Sequence, residues 1–260
     1  NQDVLVRVIP GVTADVHAHI MTGHEGSKFG LAPPAAAELI ARIERSDRIT
    51  MRGLHVHVGS QILDTAPFAR SVAPVAALGA FDIYDLGGGL GARYSYADQL
   101  PSVGEYLDAL ISAAREHLPA DAQVIIEPGR SMVASAAVTL YCVTTVKRGA
   151  HTFVAVDGGM GDNLEVALFG QRFEAGIANR LDAAGNDAER VVVVGRHCES
   201  GDVLIDGVDL VAPRVGDLLV VPATGAYCFT MANNYNGARR IPVVFADDGT
   251  ARLVVRRETW

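Results

Sequence analysis

Cysteine is scarce in this chain: Cys142, Cys198 and Cys228 are the only three among 260 residues. They are odd in number and form no Cys-x-x-Cys pair, so neither a disulfide framework nor a zinc site has support, and no metal is expected. This usage predicts a reducing, cytoplasmic compartment. Basic runs are absent as well. With 22 Lys and Arg against 30 Asp and Glu, a net charge of -8 lacks the electrostatic footprint of a phosphate-backbone binder, so nucleic acid is not expected as a partner. No stretch reaches the roughly 18 uninterrupted apolar residues of a membrane span, and no basic start followed by an apolar block resembles a signal peptide. A soluble protein without a membrane partner is the expectation. What is present is 49% apolar residues and 20% charged ones, enough to bury a full core in one large domain or two smaller ones.

Strand and helix patterns alternate through the first half. Val4 to Ile9 predicts a strand closed by Pro10-Gly11, and Pro33-Pro34 open a helix from about Ala35 to Arg45. Gly53 to Val58 predicts a strand, Ala66 to Leu78 a helix, Phe81 to Leu86 a strand ending in three glycines, Val103 to His117 a helix, and Gln123 to Ile126 a strand. Four such βα units predict a parallel sheet, half of an eight-unit barrel. The chain enters its first strand at once, without an initiator Met, and ends abruptly at Arg256 to Trp260, which predicts a start within a domain. After about Met132 the texture changes to strands separated by Gly/Asp turns: Ala137 to Val143, Thr152 to Val156, Val191 to Val194, Leu218 to Val221, and Val243-Val244. The expected division is a barrel half over residues 1–132 and a mostly β domain over 133–260.

The unusual residues follow the strands, at the face where a β/α barrel builds its site. His57, Gly59 and Ser60 follow one strand, Gly87 to Gly91 the next, and Glu127-Pro128-Gly129-Arg130 the last. Glycines without Cβ atoms let backbone N–H groups close around an anion, although such a loop also serves as a plain turn. His55 and His57 share a strand face, where the default is a satisfied core histidine; the Gly-Ser that follows favours a site role for His57. Glu127 comes after an apolar strand and needs a partner to offset its desolvation. That partner is either Arg130, in a structural salt bridge, or a cationic ring whose nitrogen it keeps protonated, leaving Arg130 for a phosphate or carboxylate.

Seven segments occur in one order: Ser27-Lys28-Phe29-Gly30, His57 to Ser60, Gly87 to Gly91, Glu127 to Arg130, Cys198-Glu199-Ser200-Gly201-Asp202, Gly225-Ala226-Tyr227 and Tyr235-Asn236. In that order they resemble the diaminopimelate decarboxylase group of fold-type III pyridoxal-phosphate decarboxylases, with ornithine decarboxylase as a relative. The resemblance implies the C-terminal half of a (β/α)8 TIM-type barrel followed by a mostly β domain, and pyridoxal 5'-phosphate as cofactor. It implies that His57 stacks on the cofactor ring, that Ser60, Gly88, Gly89, Gly129 and Arg130 hold the phosphate, and that Glu127 meets the ring nitrogen. Cys198 would be the general acid that returns a proton to the substrate carbon after CO2 leaves. Glu199 would recognise a substrate amino group, and Tyr227 would reach the phosphate or the substrate. Cys198 and Glu199 would serve the other subunit of a homodimer with shared active sites, and Lys28 with Asp202 would form an interface ion pair.

Two departures qualify the resemblance. The family's Schiff-base lysine is missing: Lys28 and Lys147 are the only lysines, and neither stands in a Tyr-Ala-x-Lys segment. The expectation is a fragment of a longer protein, inactive alone. Glu165 and Phe169 stand where diaminopimelate decarboxylases usually carry Arg and Tyr for the distal carboxylate of diaminopimelate, so one charge is reversed and one hydroxyl donor lost. Either Glu165 points to solvent and neighbours such as Arg130 supply the cation, or the substrate is another basic, amide or carrier-bound amino acid of specialised metabolism. Gly170 lacks the aspartate by which ornithine decarboxylase recognises its substrate. An alanine-racemase-like barrel would carry arginine at the ring nitrogen rather than Glu127, and a degenerate binding or regulatory homologue need not keep His57, Glu127, Arg130, Cys198 and Tyr227 together.

Overall fold

The structure, a computed structural model, describes residues 1–12, 27–180 and 188–260. It divides into two compact units, Asn1–Ala92 with Asp98–Met132, and Arg93–Ala97 with Val133–Trp260.

The first unit alternates β1 (Gln2–Arg7), α1 (Pro33–Glu44), β2 (Ile49–His55), α2 (Ala66–Ala76), β3 (Ile83–Asp85), α3 (Val103–His117) and β4 (Gln123–Ile125), with the short α4 (Arg130–Val133) after it. The four strands are parallel and lie side by side in chain order, as four βα units require. Their register sorts the side chains into two faces. Val6 pairs with Leu54 and Leu54 with Tyr84, and this row is buried against Ala36, Ile40 and Ile43 of α1, Phe68, Val72 and Val75 of α2, and Tyr106 and Leu110 of α3. Each fully buried aliphatic or aromatic side chain here stabilises the fold by about 1.5–3 kcal/mol. One residue on, Arg7 pairs with His55 and His55 with Asp85, so a row of polar side chains occupies the opposite face at the strand ends. Phe68 meets Tyr106 edge-on at 4.9 Å, which joins α2 to α3. α3 begins at a capping box, in which Ser102 Oγ accepts from the Glu105 amide and Glu105 Oε2 accepts from the Ser102 amide.

The second unit carries β5 (Val138–Lys147), β6 (Thr152–Val156), α5 (Leu164–Phe169), β7 (Gly176–Ile177), β8 (Ala188–Val194), β9 (Val203–Val211), β10 (Leu218–Pro222), α6 (Cys228–Met231), β11 (Val243–Asp247) and β12 (Thr250–Val255). Six strands form one sheet in the order β7-β10-β5-β6-β8-β9, antiparallel except for β6 against β8. Alternating residues fill its core: Tyr141 and Val143, Val154 and Val156, Val191 and Val193, Leu219 and Val221. β11 and β12 make a separate hairpin about Asp248-Gly249, both at positive φ, which is the two-residue turn this dipeptide favours. Among the described residues, no helix is long and apolar enough to cross a membrane.

Candidate functional site

Each strand of the first unit delivers a charged or ring side chain at its carboxyl end. Arg7, His55 and Asp85 close β1, β2 and β3, and Glu127 follows β4 by two residues. Ile125 pairs with Asp85, so Glu127, one side-chain repeat further along, continues the polar row. The Glu127 carboxylate lies 3.6 Å from His55 Nε2 and 3.8 Å from His57 Nδ1, and its side chain is about half exposed at 48%. It is therefore less desolvated than its place after an apolar strand suggested, and these neighbours are rings.

His57 lies just past β2 rather than on it. Its Nδ1 accepts from the Gly88 amide at 3.2 Å, which fixes a lone pair on that nitrogen. Burial, with the positive charge of Arg7 and the neighbouring His55 adding to it, lowers His57 to about 4. The ring is thus neutral near pH 7, and its approach to Glu127 is a packing contact rather than an ion pair. Burial lowers the Arg7 pKa, the Glu127 charge partly offsets that, and the Arg7 guanidinium stands 4.8 Å over the Phe29 ring.

The glycine loop packs backbone against backbone. A Cβ on Gly88 would come within 2.0 Å of the Glu127 carbonyl oxygen, and one on Gly89, where φ is +120°, within 2.1 Å of the Gly59 carbonyl oxygen. The Gly87 amide donates to Asp85 Oδ1 at 2.9 Å and the Gly88 amide to His57, so these two N–H groups are engaged within the protein. A Cβ on Gly129 would enter open space. Arg130, 6% exposed, extends Nε and Nη2 to Ser60 Oγ at 3.3 and 3.2 Å. The structure thus brings His57, Ser60, Gly88, Gly89, Glu127 and Arg130 to one sheet end. His55, Asp85 and Glu127 also bring one ligand-type atom each within 4.8 Å of one another, with Asp85 already accepting from Gly87.

In the second unit the Cys198-Glu199 pair rides on a braced loop. Asp202, 3% exposed, accepts from the Met160 amide at 2.6 Å and the His197 amide at 2.7 Å, while its own carbonyl accepts from the Gly195 amide. The resemblance gave this carboxylate to an interface pair with Lys28; within the chain it already holds two loops together. Lys28 Nζ lies 5.1 Å over the Phe29 ring. Cys198 and Glu199 are exposed, and the Tyr235 hydroxyl donates to Glu199 Oε1.

Glu165 is 1% exposed on α5, which overturns the reading that it points to solvent: the short helix turns it inward, and Asn163, just before the helix, is buried too. Phe169 is half-buried one residue before Gly170, whose positive φ ends the helix. Tyr227 adopts φ +64°, an uncommon backbone for an aromatic residue, and is 42% exposed at the start of α6. Arg7, Asp85 and a site role for His55 escaped the motif reading. The signal was present: every one of these apolar strands ends on a charged or ring side chain.

The family model described as pyridoxal-dependent decarboxylase, pyridoxal binding domain, matches residues 1–134. Diaminopimelate decarboxylase of Bacillus subtilis is 42% identical over 278 residues, covering 99% of this chain and 62% of the relative. That of Actinosynnema pretiosum is 45% identical over 276 residues, covering 99% and 61%. Among solved structures, diaminopimelate decarboxylase from Helicobacter pylori complexed with L-lysine superposes with a TM-score of 0.90 at 27% identity, covering 99% of this chain and 64% of that one. The enzyme from M. jannaschii in co-complex with L-lysine gives 0.88 at 31% identity, covering 99% and 61%. The chain spans about three fifths of the length of these relatives. The expected fold, half a TIM-type barrel followed by a β domain, is borne out. With half its length matched by the family model and its strand-end carboxylate, rings and guanidinium gathered at one face, the chain belongs to the pyridoxal-dependent decarboxylase family.

Proposed function

We propose that this chain is the C-terminal part of a pyridoxal-phosphate-dependent amino-acid decarboxylase that acts on meso-diaminopimelate or a related amino acid. The observation that carries this reading is the Glu127 carboxylate, half exposed beside the neutral ring of His57 at the ends of parallel strands. The residues fit the cofactor: an accessible carboxylate suits a pyridine nitrogen, an uncharged imidazole suits ring stacking, and the open space at Gly129 beside the Arg130–Ser60 contact suits a phosphate. When bound, the cofactor supplies an electron sink for the pair left behind by CO2.

This chain's residues would work around that sink. Glu127 holds the proton at the ring nitrogen, His57 orients the ring, and Ser60, Gly89, Gly129 and Arg130 hold the phosphate. Gly88 contributes close backbone approach, since its amide is engaged by His57. Cys198 donates the proton to the substrate carbon, Glu199 takes the substrate amino group, and Tyr227 contacts phosphate or substrate. The exposed Cys198-Glu199 pair supports a homodimer in which each subunit completes the other's site. Three cysteines, none in a disulfide, support a cytoplasmic setting.

The L-lysine bound by the H. pylori and M. jannaschii enzymes supports a linear amino acid. Glu165 and Phe169 support a substrate whose far end is not a carboxylate, because a buried carboxylate repels one. Turnover of meso-diaminopimelate, lysine, ornithine and arginine by the native protein tests this: efficient, selective CO2 release from diaminopimelate would remove the altered-substrate reading. We also infer that the 260 residues alone are inactive, because Lys28 and Lys147 are their only lysines. A borohydride-stable cofactor adduct on either lysine, found by mass spectrometry, would overturn that.

A further inference from the structure

The Tyr235-Asn236 segment has no part in the proposed chemistry, yet its geometry leads to it. We propose that Tyr235 is a positioning residue for the Cys198-Glu199 pair, its hydroxyl fixing one Glu199 carboxylate oxygen so that the other is presented to the substrate amino group. This deepens the decarboxylase reading and rests on it for the identity of the substrate group.

Three observations support the assignment. The Tyr235 hydroxyl donates to Glu199 Oε1. Glu199 follows Cys198, and both side chains are exposed on the loop that Asp202 braces, so the carboxylate has no burial to hold its rotamer. The Tyr235 ring, 43% exposed, packs at 5.6 Å and 48° on the ring of His197, the residue before Cys198; the buried His197 Nε2 has no hydrogen-bond partner among the described residues. The ring is thus held from the same loop that its hydroxyl bonds.

Its own backbone is held independently. The Tyr235 amide donates to Asn233 Oδ1 at 3.0 Å, the Asn233 amide to the Gly161 carbonyl at 2.9 Å, and Asn234 Nδ2 to Glu258 Oε2 at 2.6 Å and the Ala238 carbonyl at 2.9 Å. Asn236 takes φ +54°, a conformation asparagine tolerates better than most residues. Three asparagines around one tyrosine therefore build a rigid mount for a single hydroxyl. The bond to Glu199, and then its charge, raise the Tyr235 phenol above its ordinary value, with Cys198 adding to the effect.

The test uses the native protein and the variants Tyr235→Phe and Glu199→Gln. Subtracting the tyrosinate absorbance of Y235F from that of the wild type isolates the titration of Tyr235. The expected result is a phenol that titrates above 10 in the wild type and shifts down in E199Q; a titration indifferent to E199Q overturns the proposal. In steady-state decarboxylation, Y235F is expected to raise KM about tenfold, more than it lowers kcat, because the lost contact orients a binding carboxylate. An unchanged KM overturns it as well. If the native protein releases no CO2, the functional reading fails on that ground while the titration still decides whether Tyr235 holds Glu199.

Discussion

The Gly88 amide donates to His57 Nδ1 at 3.2 Å, and that one bond ties the loop after β3 to the ring after β2. It also assigns the proton: a nitrogen that accepts from an amide is unprotonated, so the imidazole is neutral and carries its hydrogen on Nε2. Burial agrees, lowering His57 to about 4.

Stability should therefore depend on pH through His57. Its folded pKa lies below the unfolded value of about 6.5, so the unfolded chain binds the extra proton between the two, and stability falls as pH drops from about 6.5 through about 4. The loss is at most on the order of 3 kcal/mol. Urea denaturation from pH 7 to pH 4 measures it, and His57→Phe should flatten that part of the profile; an equal slope in the variant would assign the effect elsewhere.

Gly88 and Gly129 should separate fold from cofactor binding. Gly88→Ala drives a Cβ to within 2.0 Å of the Glu127 carbonyl oxygen, so the β3 and β4 ends must part, at a cost of about 1–3 kcal/mol. Gly129→Ala places its Cβ in open space and should leave stability within about 0.5 kcal/mol while weakening pyridoxal phosphate binding. Thermal melting and cofactor titration distinguish the two; a destabilised G129A with unaltered affinity would refute the assignment of that space.

Asp202→Ala should strip the Met160 and His197 amides of their acceptor and destabilise the second unit by about 2–4 kcal/mol. The Cys198 loop should loosen with it. Faster alkylation of Cys198 in D202A than in the wild type is the expected result, and equal rates would show that the loop is held by other contacts.

Glu165 and Phe169 give a substrate prediction. The double variant Glu165→Arg with Phe169→Tyr should shift selectivity toward meso-diaminopimelate by at least about tenfold in kcat/KM, by removing a repulsive carboxylate and adding a cation and a donor. The ratio of kcat/KM for diaminopimelate and lysine is the measurement, and no shift would place both residues outside the substrate's reach.

The βα alternation was legible because periodicity and end signals agreed. Val103 to His117 emerged at the bounds the structure gives, since Ser102 and Glu105 mark its start with a capping box. Thr152 to Val156 is likewise a strand at those bounds. β9 was missed because Asp206, Gly207 and Asp209 interrupt its apolar residues, although Leu204, Val208 and Leu210 turn inward. β12 was missed despite the Asp248-Gly249 turn, because its six residues are all exposed and bury no face that would mark a strand. At the site, the motifs located Glu127, His57 and Arg130 and left Glu127 either Arg130 or a cationic ring as its partner. Its neighbours His55 and His57 come from another strand, and only register reveals that row. Glu165 illustrates the same limit: a charged residue in a six-residue helix has no sequence signature of burial.

The most direct test of the account is CO2 release by the native protein, loaded with pyridoxal phosphate, from the four amino acids, measured beside its Glu127→Gln variant. The account predicts decarboxylation of at least one of them and a loss of about a hundredfold or more in kcat for E127Q, with the cofactor still bound. No CO2 from any of the four, or an E127Q variant as fast as the wild type, would contradict it.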